Sequence, residues 1–323
     1  MKRIALMTSG GDCPGLNACI RAVVRDASAR TVEVLGVKGG LRGLRDGDYH
    51  LMGPRDVSGI IQQGGTILGT GRFPEFEEPA VRAECAARLR GAGAEGLVSV
   101  GGNGSMSGMA VFAKETGFPV VGVPKSIDND IYGTDYSIGY DTALNTALEA
   151  IDRIRDTAAS HERVFFVEVM GRASGFLALE AGLAGGAEEI IIPEEETRIE
   201  DVASRIVAGR QKGKTSSIVV VAEAEQPGRS FEMAAEFTRL SGLECRVCVL
   251  GYVQRGGRPT ARDRILAQVL GAEALEALLS GVRCVMAGVM EGKVAFTPLF
   301  DVAERSRGLG ATELELARRV ARE

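Results

Sequence analysis

The sequence predicts an α/β fold: two Rossmann-like lobes, each a mainly parallel sheet flanked by helices, with the active site in the cleft between them. Three observations lead there. Short β-branched apolar runs alternate along the chain with longer segments of helical period, the pattern of βα units. Several runs end in glycine-rich turns that open a helix, and ligands of open parallel sheets collect at such strand ends. The strand candidates are also too many for one ordinary sheet in a chain of 323 residues, which favours two cores. The larger lobe is expected to hold 1–139 with about 252–303, and the smaller 140–251 with about 304–323.

The first strand, Arg3–Thr8, runs into Ser9-Gly10-Gly11-Asp12-Cys13-Pro14-Gly15, and a helix over Leu16–Ala29 follows. Glycines let backbone approach a ligand there, and the helix offers its positive N-terminal end. A second strand is expected over Val32–Val37. The segment from Gly64 to Pro74 has neither helical nor strand period and carries Arg72 out of a glycine-rich loop. A planar guanidinium so placed bridges phosphate oxygens, although a plain surface arginine is the commoner case. Next come a helix over Pro79–Gly91, a strand over Gly96–Gly101 and a second glycine turn, Gly101-Gly102-Asn103-Gly104-Ser105, opening a helix to Glu115. Two such loops on one side of a sheet make a bed for a di- or triphosphate. Neither is a dinucleotide fingerprint.

The strand Val120–Pro124 delivers Lys125-Ser126-Ile127-Asp128-Asn129-Asp130 at its C-terminal end. Two nearby carboxylates with a hydroxyl and an ammonium suit proton abstraction from an alcohol beside a charged group; the bland alternative is a polar turn. A helix over Thr142–Ala159 precedes the strand Val164–Val169, which ends in Met170-Gly171-Arg172. Helices are expected over Ala173–Gly185 and Ile199–Arg210, with a strand over Glu189–Pro193 between them. Gly209 to Thr215 imitates a phosphate loop but has one residue too few between its glycines. It also enters the strand Ser217–Ala222, so no helix N-terminus follows its lysine. A helix over Phe231–Ser241, a strand over Arg246–Gly251, the turn through Tyr252, Arg255, Gly256 and Gly257, a helix over Ala261–Leu279, a strand over Cys284–Val289 and a helix over Thr312–Arg322 complete the chain. Four anion-ready elements at strand ends are most simply explained by a site for two phosphorylated molecules.

Charge and cysteines narrow the class. A net charge of −5 offers no basic excess for nucleic acid. No run approaches the roughly 20 apolar residues of a membrane span, and a cytoplasmic protein is expected. The six cysteines are dispersed, which reads as reduced thiols. Cys245 and Cys248 have metal-binding spacing, but in a strand they point to opposite faces, and no histidine pair completes a zinc site.

Taken together, Thr8 to Asn17, Gly64-Gly-Thr66 with Arg72 to Phe76, Gly101 to Ser105, Pro124 to Asp130, Glu168 to Arg172 and Leu250 to Gly257 resemble the 6-phosphofructokinases of bacterial type, in that family's order. The resemblance implies phosphoryl transfer from ATP to the 1-hydroxyl of fructose 6-phosphate, with Mg²⁺ as cofactor on the donor phosphates. Asp128 matches the base, Asp130 its carboxylate neighbour, and Ser126 the hydroxyl that contacts the transferring group. Gly11, Arg72 and Arg172 match phosphate positions. Phe73, Gly102, Asn103, Gly104, Ser105 and Gly108 fall on the ATP side. Arg163, Met170, Gly171, Glu223, Arg246, Tyr252 and Arg255 match the sugar-phosphate site, with Arg163 and Arg246 lent by a neighbouring subunit of a homotetramer. Arg21, Arg25, Arg155, Glu188 and Lys214 fall on positions of an effector site for ADP or phosphoenolpyruvate.

Several positions depart from the pattern. Asn103 stands where ATP-using relatives carry a carboxylate for the metal, leaving Asp130 the remaining carboxylate candidate. Lys125 replaces a glycine and resembles the pyrophosphate-using branch, whereas Gly104 leaves room for a nucleotide. Leu41 and Glu77 stand where an aromatic residue and an arginine are often found, and Tyr252 replaces a common histidine. An ATP-dependent kinase is the expectation; a pyrophosphate-dependent enzyme and a weakly active regulatory paralogue are the alternatives.

Overall fold

The structure, a computed structural model, describes residues 1–224 and 227–321. The chain divides into two compact units. The first contains Met1–Ser126, Asp130–Thr142 and Arg255–Arg307; the second contains Ile127–Asn129, Ala143–Gln254 and Gly308–Glu323.

In chain order the elements are β1 (Arg3–Thr8), α1 (Leu16–Ala29), β2 (Glu33–Val37), α2 (Leu41–Asp46), β3 (Tyr49–Met52), α3 (Pro79–Gly91), β4 (Leu97–Gly101), α4 (Asn103–Thr116), β5 (Val120–Pro124) and α5 (Tyr140–His161). Then follow β6 (Val164–Val169), α6 (Phe176–Ala184), β7 (Glu189–Ile191), α7 (Ile199–Gln211), β8 (Ser217–Ala222), α8 (Arg229–Ser241), β9 (Cys245–Val249), α9 (Ala261–Leu279), β10 (Val285–Met290), β11 (Lys293–Pro298), α10 (Leu299–Glu304) and α11 (Ala311–Val320).

The first unit is built on a sheet of order β11-β10-β5-β4-β1-β2-β3. Its central strands β5, β4, β1 and β2 are parallel and read as unbroken apolar runs because helices cover both faces. In α1, Leu16, Ile20, Val23, Val24 and Ala27 are buried at helical spacing; each large apolar side chain so removed from water contributes about 1.5–3 kcal/mol. Helix α1 packs on α9, where Gly271 admits the Cys19 backbone so closely that a Cβ would stand 3.0 Å from its carbonyl oxygen. The second unit has a parallel sheet of order β7-β8-β6-β9, with Phe166, Val219, Val221, Ile206 and Phe237 in its core.

The α/β class predicted from the alternation is the class observed. The two antiparallel edge strands, β3 and β11, are not foreseen by it. Both are short and partly exposed, so neither carries a strong apolar run, as suits an edge. The β10–β11 turn is Glu291-Gly292, with φ of +52° and +74°, the left-handed pair of a two-residue hairpin. Short α2 and α10 are likewise missing from the sequence reading. The expected helix from Ala173 begins only at Phe176, because Ser174 N–H bonds back to Gly171 O in a turn. Arg322, the expected last residue of the final helix, lies outside the described residues. Cys245 and Cys248 are both partly buried free thiols, and no cluster of three metal-ligating side chains occurs among the described residues.

Candidate active site

In the first unit the C-terminal ends of β1, β4 and β5 lie side by side, since Thr8 pairs with Val100 and Gly101 with Pro124. The chain leaves β1 toward β2 on one side and returns to β4 on the other, so β1 and β4 flank the point where the strand order switches. Ligands of open α/β sheets bind at such a point. The three strand ends carry Gly10-Gly11, Gly102 to Ser105, and Lys125 with Ser126.

Hydrogen bonds lace these loops together. Ser105 Oγ donates to Ser9 Oγ at 3.1 Å, and Thr70 Oγ1 to Gly10 O at 2.7 Å. Asn17 Nδ2 donates to the carbonyls of Gln63 and Gly64, and its Oδ1 accepts from Ile67 N–H at 2.8 Å, so the first turn of α1 pins the Gly64 loop. Lys125 is buried, and its Nζ lies 3.7 Å from where a Gly10 Cβ would stand and 3.9 Å from a Gly102 Cβ, beside both glycine loops. Gly104 faces open space: a Cβ there meets nothing within 4 Å. Gly108, by contrast, packs on the Phe76 ring.

Asn103 and Asp130 meet. Asn103 Nδ2 donates to Asp130 Oδ2 at 2.8 Å, and Ser126 Oγ donates to Asp130 Oδ1 at 3.4 Å. Asn103 Oδ1 is buried without a protein partner, an acceptor a hydrated cation would satisfy. One amide oxygen beside one carboxylate is a hard-oxygen donor set that fits Mg²⁺.

Arg255 belongs to the first unit, where its guanidinium stands over Gly11: a Cβ on that glycine would lie 2.2 Å from Arg255 Nη1. Arg72 is exposed. Phe73 is buried in the core with Arg45 stacked 4.7 Å over its ring, which makes it a support of the loop. The Cys13 thiol, in the loop between β1 and α1, is pushed up to about 12 by burial, so it is inert as a nucleophile.

In the second unit Met170, Gly171 and Arg172 leave the end of β6, and Glu223 leaves the end of adjacent β8. Ser174 Oγ donates to Asp128 O at 2.8 Å, which joins the Asp128 backbone to the Gly171–Ser174 turn. Asn129 (φ +54°) and Arg172 (φ +51°) are both left-handed without being glycine, a strain of order 1–3 kcal/mol each that tends to gather at working sites. Tyr252 is 81% exposed. Gln254, which the sequence reading passed over, is fully buried and accepts from Met170 N–H at 2.9 Å. Glu168 also proves to be a support: its buried carboxylate accepts from Gly228 and Ser230 N–H at 2.6 and 2.9 Å and caps α8.

Arg163 and Arg246 lie at the other end of this sheet, before β6 and early in β9, both against Glu244. The six residues of β6 separate Arg163 from Met170, roughly 20 Å of strand at about 3.3 Å per residue, so the two arginines do not join Arg172 within one chain. Of the effector candidates, Arg155 and Lys214 both meet Glu188 at 3.2 Å. Arg21 instead bonds Gln268 in the first unit, and Arg25 is exposed.

Comparison with known proteins agrees with this architecture. The phosphofructokinase family matches residues 3–278. Over 321 residues the chain is 56% identical to the ATP-dependent 6-phosphofructokinase 1 of Thermus thermophilus, covering 99% of this chain and 100% of that protein. Over 302 residues it is 50% identical to the ATP-dependent 6-phosphofructokinase of Coxiella burnetii, covering 93% and 92% of the two. A solved phosphofructokinase from Saccharomyces cerevisiae superposes with a TM-score of 0.87 at 36% identity over 94% of this chain; the chain spans only 45% of that larger one.

Proposed function

We propose, for a chain that belongs to the phosphofructokinase family, that it transfers the terminal phosphoryl group of ATP to the 1-hydroxyl of fructose 6-phosphate, giving fructose 1,6-bisphosphate and ADP, a cytoplasmic step of glycolysis. The observation that carries this reading is the convergence of two glycine loops and the Lys125–Ser126 turn at adjacent C-terminal strand ends.

Phosphoryl transfer rests on positioning and charge stabilisation. The N–H groups and glycines of Gly10-Gly11 and Gly102 to Ser105 cradle donor phosphates, while Lys125, Arg72 and Arg172 offset charge on the transferring group. Asp128 takes the proton of the sugar hydroxyl, and Ser126 orients the acceptor side. Met170, Gly171, Glu223, Tyr252 and Arg255 hold the sugar phosphate. Open space at Gly104 favours a nucleotide as donor, since no side chain obstructs an α-phosphate there. Bound Mg²⁺ would supply positive charge that offsets the charge on the donor phosphates. Asn103 Oδ1 and the Asp130 carboxylate are the groups that would hold it.

A homotetramer with shared sites accounts for Arg163 and Arg246, which lie at the far end of the second unit's sheet from Arg172. Glu188 with Arg155 and Lys214 marks an effector site for ADP or phosphoenolpyruvate, completed by Arg21 and Arg25.

The direct test is fructose 1,6-bisphosphate formation by the purified chain with ATP and Mg²⁺, run beside pyrophosphate and fructose 6-phosphate. Turnover with ATP alone is expected. Turnover with pyrophosphate after complete removal of nucleotide would overturn the choice of donor.

A further inference from the structure

Asp263 has no part in the chemistry described above, yet it is 1% exposed and saturated with hydrogen bonds. Its Oδ1 accepts from Gly139 N–H at 2.9 Å, and its Oδ2 from Thr142 N–H at 2.8 Å and Thr142 Oγ1 at 2.5 Å. Those N–H groups are orphans at the start of α5, which ordinarily takes its cap from its own chain neighbours. Here a carboxylate in the first turn of another helix, α9, supplies it. The exchange is mutual. Thr142 Oγ1 accepts from Thr260 N–H at 3.0 Å, while Thr260 Oγ1 donates to Asp141 Oδ2 at 2.6 Å and accepts from Asp263 N–H. The two helix starts are thus knotted by a closed ring.

What hangs on this ring is the active-site backbone. Residues 137–142 form a strap along the extension of β5: Ser126 N–H bonds Ile138 O, Ile138 N–H bonds Pro124 O, and Ser137 Oγ donates to Ser126 O at 2.6 Å. The strap also touches the donor loop, because Cys13 Sγ donates to Ile138 O, and Gly139 (φ +99°) has no room for a Cβ against that sulfur. On the other side of the ring, the loop entering α9 carries Arg255 over Gly11.

We propose that Asp263 is a positioning residue for the phosphoryl transfer: its carboxylate fixes the strap that holds Ser126 and ties it to the start of α9, whose loop carries Arg255. Asparagine cannot replace it, since an amide nitrogen would face an N–H donor on one side. Small displacements of reacting groups cost up to about 10²-fold in rate, so the effect falls on turnover more than on binding.

The test is steady-state kinetics of the full chain with ATP and fructose 6-phosphate for Asp263→Asn, Thr142→Val and Thr142→Ser, with thermal melting of each. Asp263→Asn and Thr142→Val are expected to lower kcat by about 10- to 100-fold while the KM for ATP stays within about threefold. Thr142→Ser, which keeps both hydroxyl bonds, is expected to restore wild-type kcat. If Asp263→Asn does not fold, the two Thr142 variants decide. A lowered melting temperature with kcat within about twofold of wild type in Thr142→Val would reduce the ring to a helix cap and overturn the proposal.

Discussion

Asn103 donates its amide to the Asp130 carboxylate at 2.8 Å and keeps its own carbonyl oxygen buried and unsatisfied. An aspartate there would turn that attraction into repulsion between two carboxylates, relieved by a bound cation or by a proton held between them. Asn103→Asp is therefore expected to lower stability by about 1–3 kcal/mol without divalent ions and to regain it on adding Mg²⁺, with a lower half-saturating Mg²⁺ concentration for activity. Thermal melts with and without Mg²⁺ read the first effect; equal melting shifts in wild type and variant would count against Asn103 as a metal-facing group.

Removing the proposed base gives the sharpest loss. Asp128→Asn keeps size and hydrogen bonding but cannot accept the hydroxyl proton, and kcat should fall by ~10²–10⁴-fold. Little change in KM for fructose 6-phosphate is expected, as measured by coupled assay.

Lys125 is buried beside both glycine loops. Lys125→Met retains its packing and removes the charge, so kcat with ATP should drop by ~10²–10³-fold, the scale of losing one charge-stabilising donor. A variant that turns over ATP as fast as wild type would remove Lys125 from the transition state.

The two glycines beside Arg255 and Gly257 should fail in different ways. A Cβ at Gly64 would stand 2.4 Å from the Gly257 carbonyl, which is backbone, so Gly64→Ala should cost about 1–3 kcal/mol of stability. At Gly11 the clash is with the guanidinium at the end of the Arg255 side chain rather than with backbone. Gly11→Ala should melt near wild type yet raise KM, because the guanidinium is pushed aside.

Glu115 gives a pH prediction. The hydrogen bond from Arg82 holds its carboxyl below the ordinary glutamate value of 4.5. Arg82 in turn donates to the carbonyls of Phe76 and Glu77, which follow Arg72 and Phe73. A depressed pKa means that the pair's stabilisation is complete above 4.5 and is lost as pH falls through the lower folded value. Glu115→Gln should thus lower the melting temperature at neutral pH, and the difference from wild type should close in acid. A gap that persists below the folded pKa would contradict the assignment.

The sequence by itself determined the alternation of strands and helices, the glycine loops, and Lys125 to Asp130 at the end of a buried strand. Those signals are local: apolar period, glycine at turns, polar residues just past a strand. The edge strands β3 and β11 stayed hidden because half-exposed edges need no long apolar run. The start of α5 was placed within two residues, but its cap stayed hidden because it comes from Asp263, 124 residues beyond Gly139. Only the tertiary structure decided that Asn103 bonds Asp130, that Arg255 stands over Gly11, that Glu168 caps α8 and that Gln254 accepts from Met170 N–H. Each of those contacts joins residues far apart in the chain or across a turn, where the distance is set by strand order and packing, and no local pattern records it.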